Sequence, residues 1–196
     1  MEPLVPLALA HGWAAGVNAY LTVALFGLSG RLGLTEAPAV LERTEVLVIA
    51  FVLAAVEFVV DKIPFLDSTW DAVHTVIRPT IGAWLGVEIA GDMTGTDQAL
   101  AGTGSGLAAL ASHAVKASLR LAVNSSPEPA SNIAASLAED GAVTGVVFLA
   151  TEHPWIALSV SAVLLVAGAT LAIFLLRRIR RGLRRLVETR GPEGGG

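Results

Sequence analysis

Two stretches of this chain set charged and histidine side chains at helical spacing. Asp67, Asp71, His74 and Arg78 fall at i, i+4, i+7 and i+11; His113, Lys116, Arg120 and Asn124 fall at i, i+3, i+7 and i+11. Residues so spaced share one face of an α-helix. Glu57 and Asp61 stand one turn apart, Asn132, Ser136 and Glu139 form a further stripe with Asp140 beside it, and His11, Asn18 and Thr22 line the first apolar segment. Carboxylates bind hard cations or carry protons, imidazoles add nitrogen ligands for a transition metal, and Lys or Arg clamps anions. Glu57, Asp61, Asp71, His74, Arg78, His113, Lys116, Arg120, Asn124, Glu139 and Asp140 are therefore the candidate ion-binding or substrate-binding residues. Of these, Glu57, Asp71, His74, His113, Glu139 and Asp140 are the candidate metal ligands, a metal ion being the one candidate cofactor. No residue is assigned a catalytic role.

The elements that position these groups belong to a membrane protein. Of 196 residues, 54% are apolar and only 15% charged, and mean hydropathy is +0.67, outside the mixed composition of soluble domains. A helix needs about 20 mostly apolar residues to cross the ~30 Å hydrocarbon layer. The expected fold class is all-α: a polytopic bundle of about six transmembrane helices filling 1–178, followed by a basic, partly disordered cytoplasmic tail at 179–196. The spans are read at about Leu4 to Leu34, Glu45 to Val60, Asp67 or Ser68 to Ala90, Gln98 to Val123, Ser131 to Ala150, and Trp155 to Leu176. DKIP stops the second, because proline disfavours helical geometry in the residue before it, and NSSPEP ends the fourth. MEPLVPLALAHGW lacks the basic start of a cleavable signal peptide, so the first segment is read as a retained span.

The six arginines of RRIRRGLRR place the C-terminus in the cytoplasm, and six spans then place the N-terminus there too. The absence of cysteine excludes disulfides, thiolate ligands and cysteine catalysis. Small residues recur four apart: Gly12 and Gly16, Ala50 and Ala54, Gly82 and Gly86, Gly102 and Gly106, Gly141 and Gly145. That spacing favours close helix packing in lipid, within a bundle or between copies in a homo-oligomer. GTGSG has neither a preceding strand nor a following Lys-Ser or Lys-Thr and is read as packing.

Ionisable groups are costly at the bilayer centre and face protein or water. Five striped helices imply one shared polar interior, with the sixth peripheral and lipid-facing. Asp61, Lys62, Asp67 and Asn124 are expected at the cytoplasmic interface; Glu57, His74, Arg78, His113, Lys116, Glu139 and Asp140 are expected deeper. Plainer roles compete. Ser68 and Asp71 match a capping box, Lys62 has the length to snorkel, Trp70 and Trp155 suit interfacial anchoring, and the acids suit structural ion pairs with Arg78, Lys116 and Arg120.

EFVVDKIPFLDSTWDAVHTVIRP at 57 to 79, SHAVKASLRLAVNSSPEP at 112 to 129 and SNIAASLAED at 131 to 140 carry a resemblance to a bacterial membrane family, the domain of unknown function number 4126. It covers most of the chain up to the arginines and implies a bacterial inner membrane, but no activity or cofactor. FLDSTW at 65 to 70 against FLATEHPW at 148 to 155, Glu57 against Glu139, and GWAA at 12 to 15 against GLAA at 106 to 109 suggest two inverted three-span halves, as in many transporters. The leading expectation is a small transporter or channel for a cation, metal ion or small charged solute, with the bilayer and that ion as partners and no nucleic acid. Second is an enzyme or flippase acting on a phosphate-bearing lipid clamped by Lys62, Arg78, Lys116 and Arg120. Third is a scaffold.

Overall fold

The computed structural model describes residues 4–125 and 129–188. Its elements are α1 (Leu4–Val17), α2 (Ala19–Arg31), α3 (Thr44–Val60), α4 (Leu66–Ala90), α5 (Gly95–Asn124), α6 (Pro129–Glu152) and α7 (Pro154–Glu188), with no strand among the described residues. Two stretches, Ala130–Glu152 and Pro154–Gly182, are long and apolar enough to cross a membrane. Ser126 to Glu128 of the NSSPEP connection, and the tail beyond Glu188, lie outside the described residues. The boundary expected at 178 falls inside α7, which continues through the arginines.

The first predicted span is the main correction. Leu4 to Leu34 is not one helix but two, parted at Asn18, whose backbone is extended (φ −148°, ψ 99°). Asn18 Oδ1 accepts the Leu21 N–H at 2.9 Å, the N-cap that lets a short polar side chain start a new helix. The two helices then fold back on each other. The His11 ring on α1 lies 4.0 Å, centroid to centroid, from Phe26 on α2, a contact a straight helix with a rise of ~1.5 Å per residue would forbid. Leu4, Leu7 and Phe26 also line a common cavity with Ala90 and Met93, so both open ends of the hairpin lie near the end of α4. His11 bonds the Leu7 carbonyl and joins no ion pair, so it drops out of the predicted polar stripe.

The other starts follow local chemistry. Thr94 caps α5, its hydroxyl donating to Asp97 Oδ2 at 2.6 Å and accepting from the Asp97 N–H at 3.3 Å, which begins the helix three residues before the expected Gln98. The capping box expected at Ser68 and Asp71 does not form. α4 begins at Leu66, behind Phe65 in the left-handed region at φ 68°, and the Ser68 N–H goes to Asp67 Oδ1 at 2.6 Å.

α5 is the packing centre, held chiefly against α4 and α1. Glycines make that closeness possible. A Cβ at Gly16 would meet Ser112 and Ala109, and one at Gly86 would meet the Ala101 carbonyl, while Gly102 faces Ala83 and Val87. Gly141 and Gly145 differ: among the described residues nothing stands within 4 Å of a Cβ at either, so no close packing there depends on them. Gly86→Ala is expected to destabilise by about 1–3 kcal/mol through overpacking, and Gly141→Ala by less than about 0.5 kcal/mol, as read by chemical unfolding in mild detergent.

Polarity is inverted relative to a water-soluble bundle. Arg78 and Arg120 head the largest fully buried side chains, whereas Val48, Ile49, Val52 and Val59 of α3 and Val163, Val166, Ile173 and Phe174 of α7 are exposed. The expectation of α7 as a peripheral apolar helix agrees with this surface.

Candidate functional site

The buried charges meet where the α1–α2 hairpin turns. α4 and α5 lie side by side with their polar stripes facing; α3 contributes Glu57 and the turn after it Asp61; α6 contributes Glu139 and Asp140. Arg78 Nη2 donates to Glu57 Oε1 at 2.6 Å, and Nη1 stands 3.0 Å from Asp71 Oδ1. That second contact is an ion pair without hydrogen-bond alignment, for both Asp71 oxygens are buried and accept no bond. Lys116 Nζ reaches Asp61 Oδ2 at 2.7 Å, Glu57 Oε1 at 3.4 Å and Glu139 Oε2 at 3.5 Å. Arg120 donates to both Glu139 oxygens, at 3.2 and 2.6 Å, and to the Asp61 carbonyl at 2.7 Å, with Asp67 Oδ2 at 3.6 Å.

The hairpin completes this array with backbone. Val17 O accepts from Lys116 at 3.1 Å and Gly16 O from Arg78 at 3.4 Å. These are the last residues of α1, where helical carbonyls lack partners and the helix dipole favours cations. Asn18 Nδ2 donates to Asp140 Oδ1 at 3.1 Å.

The histidines have defined proton positions. Arg78 Nη1 lies 2.8 Å from His113 Nδ1; guanidinium only donates, so Nδ1 accepts and the ring is neutral with its proton on Nε2. That N–H points to Thr75 Oγ1 at 3.2 Å, whose hydroxyl donates to the Asp71 carbonyl at 3.1 Å. His74 Nδ1 faces the Trp70 carbonyl at 2.8 Å and so donates, leaving Nε2 to the Tyr20 hydroxyl at 2.9 Å. Trp70 stacks on the His74 ring at 4.5 Å.

Counted with every group ionised, five carboxylates (Glu57, Asp61, Asp67, Asp71, Glu139) pair with three cations (Arg78, Lys116, Arg120), a formal excess of two negative charges among the ion-paired groups. Glu57 Oε2, Asp61 Oδ1, Asp67 Oδ2 and Asp140 Oδ2 are buried and accept no hydrogen bond, like the Asp71 oxygens. An uncompensated buried charge costs several kcal/mol, so the array calls for further positive charge, either a cation or protons taken up by its acids. In the α3–α4 turn, burial alone would raise the Asp61 carboxyl, but Lys116 and Arg120 outweigh it and hold it below the ordinary range. Burial lowers the Lys62 ammonium, against the attraction of Asp140 and Asp61.

Eight of the eleven candidates, Glu57, Asp61, Asp71, Arg78, His113, Lys116, Arg120 and Glu139, are directly linked. Asn124 joins through Asp67, donating to Oδ1 at 2.8 Å; Asp140 joins through Asn18, and His74 sits beside the array on Tyr20. Asp61, Asp67 and Asn124, expected at the cytoplasmic interface, are buried within the protein, where Lys116, Arg120 and Asn132 reach them. Lys62 does not extend freely outward: it donates to Phe58 O at 2.7 Å and Ser136 Oγ at 3.1 Å. The metal constellation is not assembled. Among the described residues no three His, Asp or Glu side chains are arranged to hold a metal ion; cations stand between the acids, and the free ring nitrogens of His74 and His113 are taken by Tyr20 and Arg78. Sequence reasoning missed Tyr20, Thr75 and the role of Asp67; only Asp67 had a signal, four residues before Asp71.

The fold and site define an all-helical bundle organised around a buried, net-negative ion-pair array. The chain belongs to the family described as Domain of unknown function (DUF4126), whose model matches residues 5–177. No curated protein and no solved structure matches it.

Proposed function

We propose that the chain is a multi-pass protein of a bacterial cytoplasmic membrane that moves a small cation or proton through its interior. The observation that carries this reading is the excess of two negative charges in an array whose carboxylates are at most 17% exposed, inside a bundle with apolar side chains outward. Such an array is complete only with added positive charge, and gains or loses it without disturbing the outer packing. In this reading α3 to α7 cross the bilayer; α3, at 17 residues, is at the lower limit of about 17. The α1–α2 hairpin enters from the face of the GDMTGTD loop and returns to it, its tip among the charges. Broken helices whose freed carbonyls meet ions are a recurrent transporter device. With RRIRRGLRR in the cytoplasm, the N-terminus then lies outside, in place of the cytoplasmic position expected from six spans.

Glu57 and Glu139, set against each other by the inverted-repeat alignment, both approach Lys116, at 3.4 and 3.5 Å, which supports a site between two halves. The phosphate-clamp alternative is disfavoured because Arg78, Lys116 and Arg120 are already occupied by carboxylates and carbonyls. Reconstituted into liposomes, the full chain is expected to dissipate an imposed gradient of protons or of Na⁺, K⁺ or Mg²⁺. Glu57→Gln and Asp71→Asn should each lower the rate at least about tenfold, a barrier change of ~1.4 kcal/mol. Flux no greater than in empty liposomes for all four ions would refute the reading.

A further inference from the structure

A cavity of about 360 Å³ lies between α1, α5, α6 and α7, within the range of small-molecule sites, about 300–1,000 Å³. Its walls are apolar, among them Trp13, Leu119, Leu165 and Leu171, and its polar end is formed by Lys116 and Glu139. Among the ion-paired carboxylates Glu139 is the one with appreciable exposure, 17% against 2% or less for Glu57, Asp61, Asp67 and Asp71, and unlike the half-buried Asp140 it lines this cavity. The cavity is thus the approach to the array. Lys116, 2% exposed, donates its three protons to Val17 O, Glu57 and Asp61, stands 3.5 Å from Glu139 as an ion pair without a hydrogen bond, and offers an incoming molecule nothing. Glu139 does offer something: a carboxylate has about four acceptor positions, and Arg120 fills two.

We infer that this cavity is a binding site for an amphiphilic amine, its apolar body against Trp13 and Leu165 and its ammonium donating to the Glu139 carboxylate. The recognition is chemical. The accessible polar atoms only accept, so the ligand's polar end donates; the array behind Glu139 is two charges negative, so a cation is favoured over a neutral donor and an anion is refused; the remaining walls demand an apolar body. No bond forms or breaks, and the amine retains its proton. This inference rests on the carrier reading and deepens it by naming a substrate class for the same array.

The test uses the purified full chain in mild detergent, titrated with phenylbutylamine, phenylbutanol and phenylbutyrate, three heads on one body. Trp13 fluorescence reports binding, with Trp13→Phe identifying its contribution among the four tryptophans. The amine is expected to bind saturably, at least about tenfold more tightly than the alcohol, as a charge-assisted hydrogen bond provides; the acid should not bind. Glu139→Gln should reduce the amine to the level of the alcohol. Gly168→Ala removes no ion-pair partner and sets a Cβ 2.8 Å from Val115 Cγ1 at the cavity wall, so it narrows the cavity and should weaken amine and alcohol together; it also keeps the test decisive where Glu139→Gln does not fold. Equal binding of amine and alcohol, an amine preference that survives Glu139→Gln, or a retained lipid chain that the amine does not displace would each overturn the site. Ion flux without amine binding defeats this inference and leaves the carrier reading standing. Glu139-dependent amine binding without flux of any of the four ions supports the site and defeats the carrier.

Discussion

Arg78→Leu is expected to cost about 3–5 kcal/mol of stability, the range for removing one partner from a buried ion pair. Arg78 is fully buried and stands between Glu57 at 2.6 Å and Asp71 at 3.0 Å. Its loss raises the uncompensated charge from two to three and leaves Asp71 without an ion-pair partner; it also removes the donor that holds His113 Nδ1. The double variant Arg78→Leu with Glu57→Gln returns the excess to two. Chemical unfolding in mild detergent should show at least half of the lost stability restored in the double variant if charge imbalance is the cause. A double variant no better than the single one would place the cost in lost hydrogen bonds, and a single variant within about 1 kcal/mol of the parent would mean the acids had simply taken up protons.

The second large effect is one of geometry at constant charge. Arg120→Lys keeps every formal charge but replaces a planar fork by a point. Arg120 holds both Glu139 oxygens, the Asp61 carbonyl at 2.7 Å and Asn132 O at 3.5 Å, tying α5 to α6 and to the α3–α4 turn. α5 and α6 otherwise touch little. Lysine cannot span these acceptors, and a loss of about 1.5–3 kcal/mol is expected, the worth of a hydrogen bond to a charged group. Because the charge count is unchanged, hydrogen exchange should rise selectively in the first half of α6 while α4 remains protected. A uniform rise across both helices would show that Arg120 acts through global stability alone.

These two variants separate what could be read in the linear chain from what could not. The stripes at Asp71, His74 and Arg78 and at His113, Lys116 and Arg120 were legible because helical periodicity is local: 3.6 residues per turn settle which side chains share a face before any packing occurs. The peripheral place of α7 was legible from its lack of any polar stripe. Asn18 was visible as a polar residue in an apolar run, but its role as the hinge of a hairpin was not. A single Asn inside a helix and an Asn that caps a new one look alike until Phe26 returns to meet His11.

The sequence by itself determined a helical protein with its charges segregated onto helix faces, because composition and spacing carry that information directly. Only the tertiary structure decided which acid meets which cation, that Gly16 and Val17 contribute carbonyls, that Glu139 and Lys116 border an apolar cavity, and that the ion-paired groups number five acids against three cations. Those facts depend on contacts between residues as far apart as Val17 and Lys116 or Asp61 and Arg120. A Coulomb interaction falls off with separation and strengthens on burial, so the balance of the array exists only once the helices have come together.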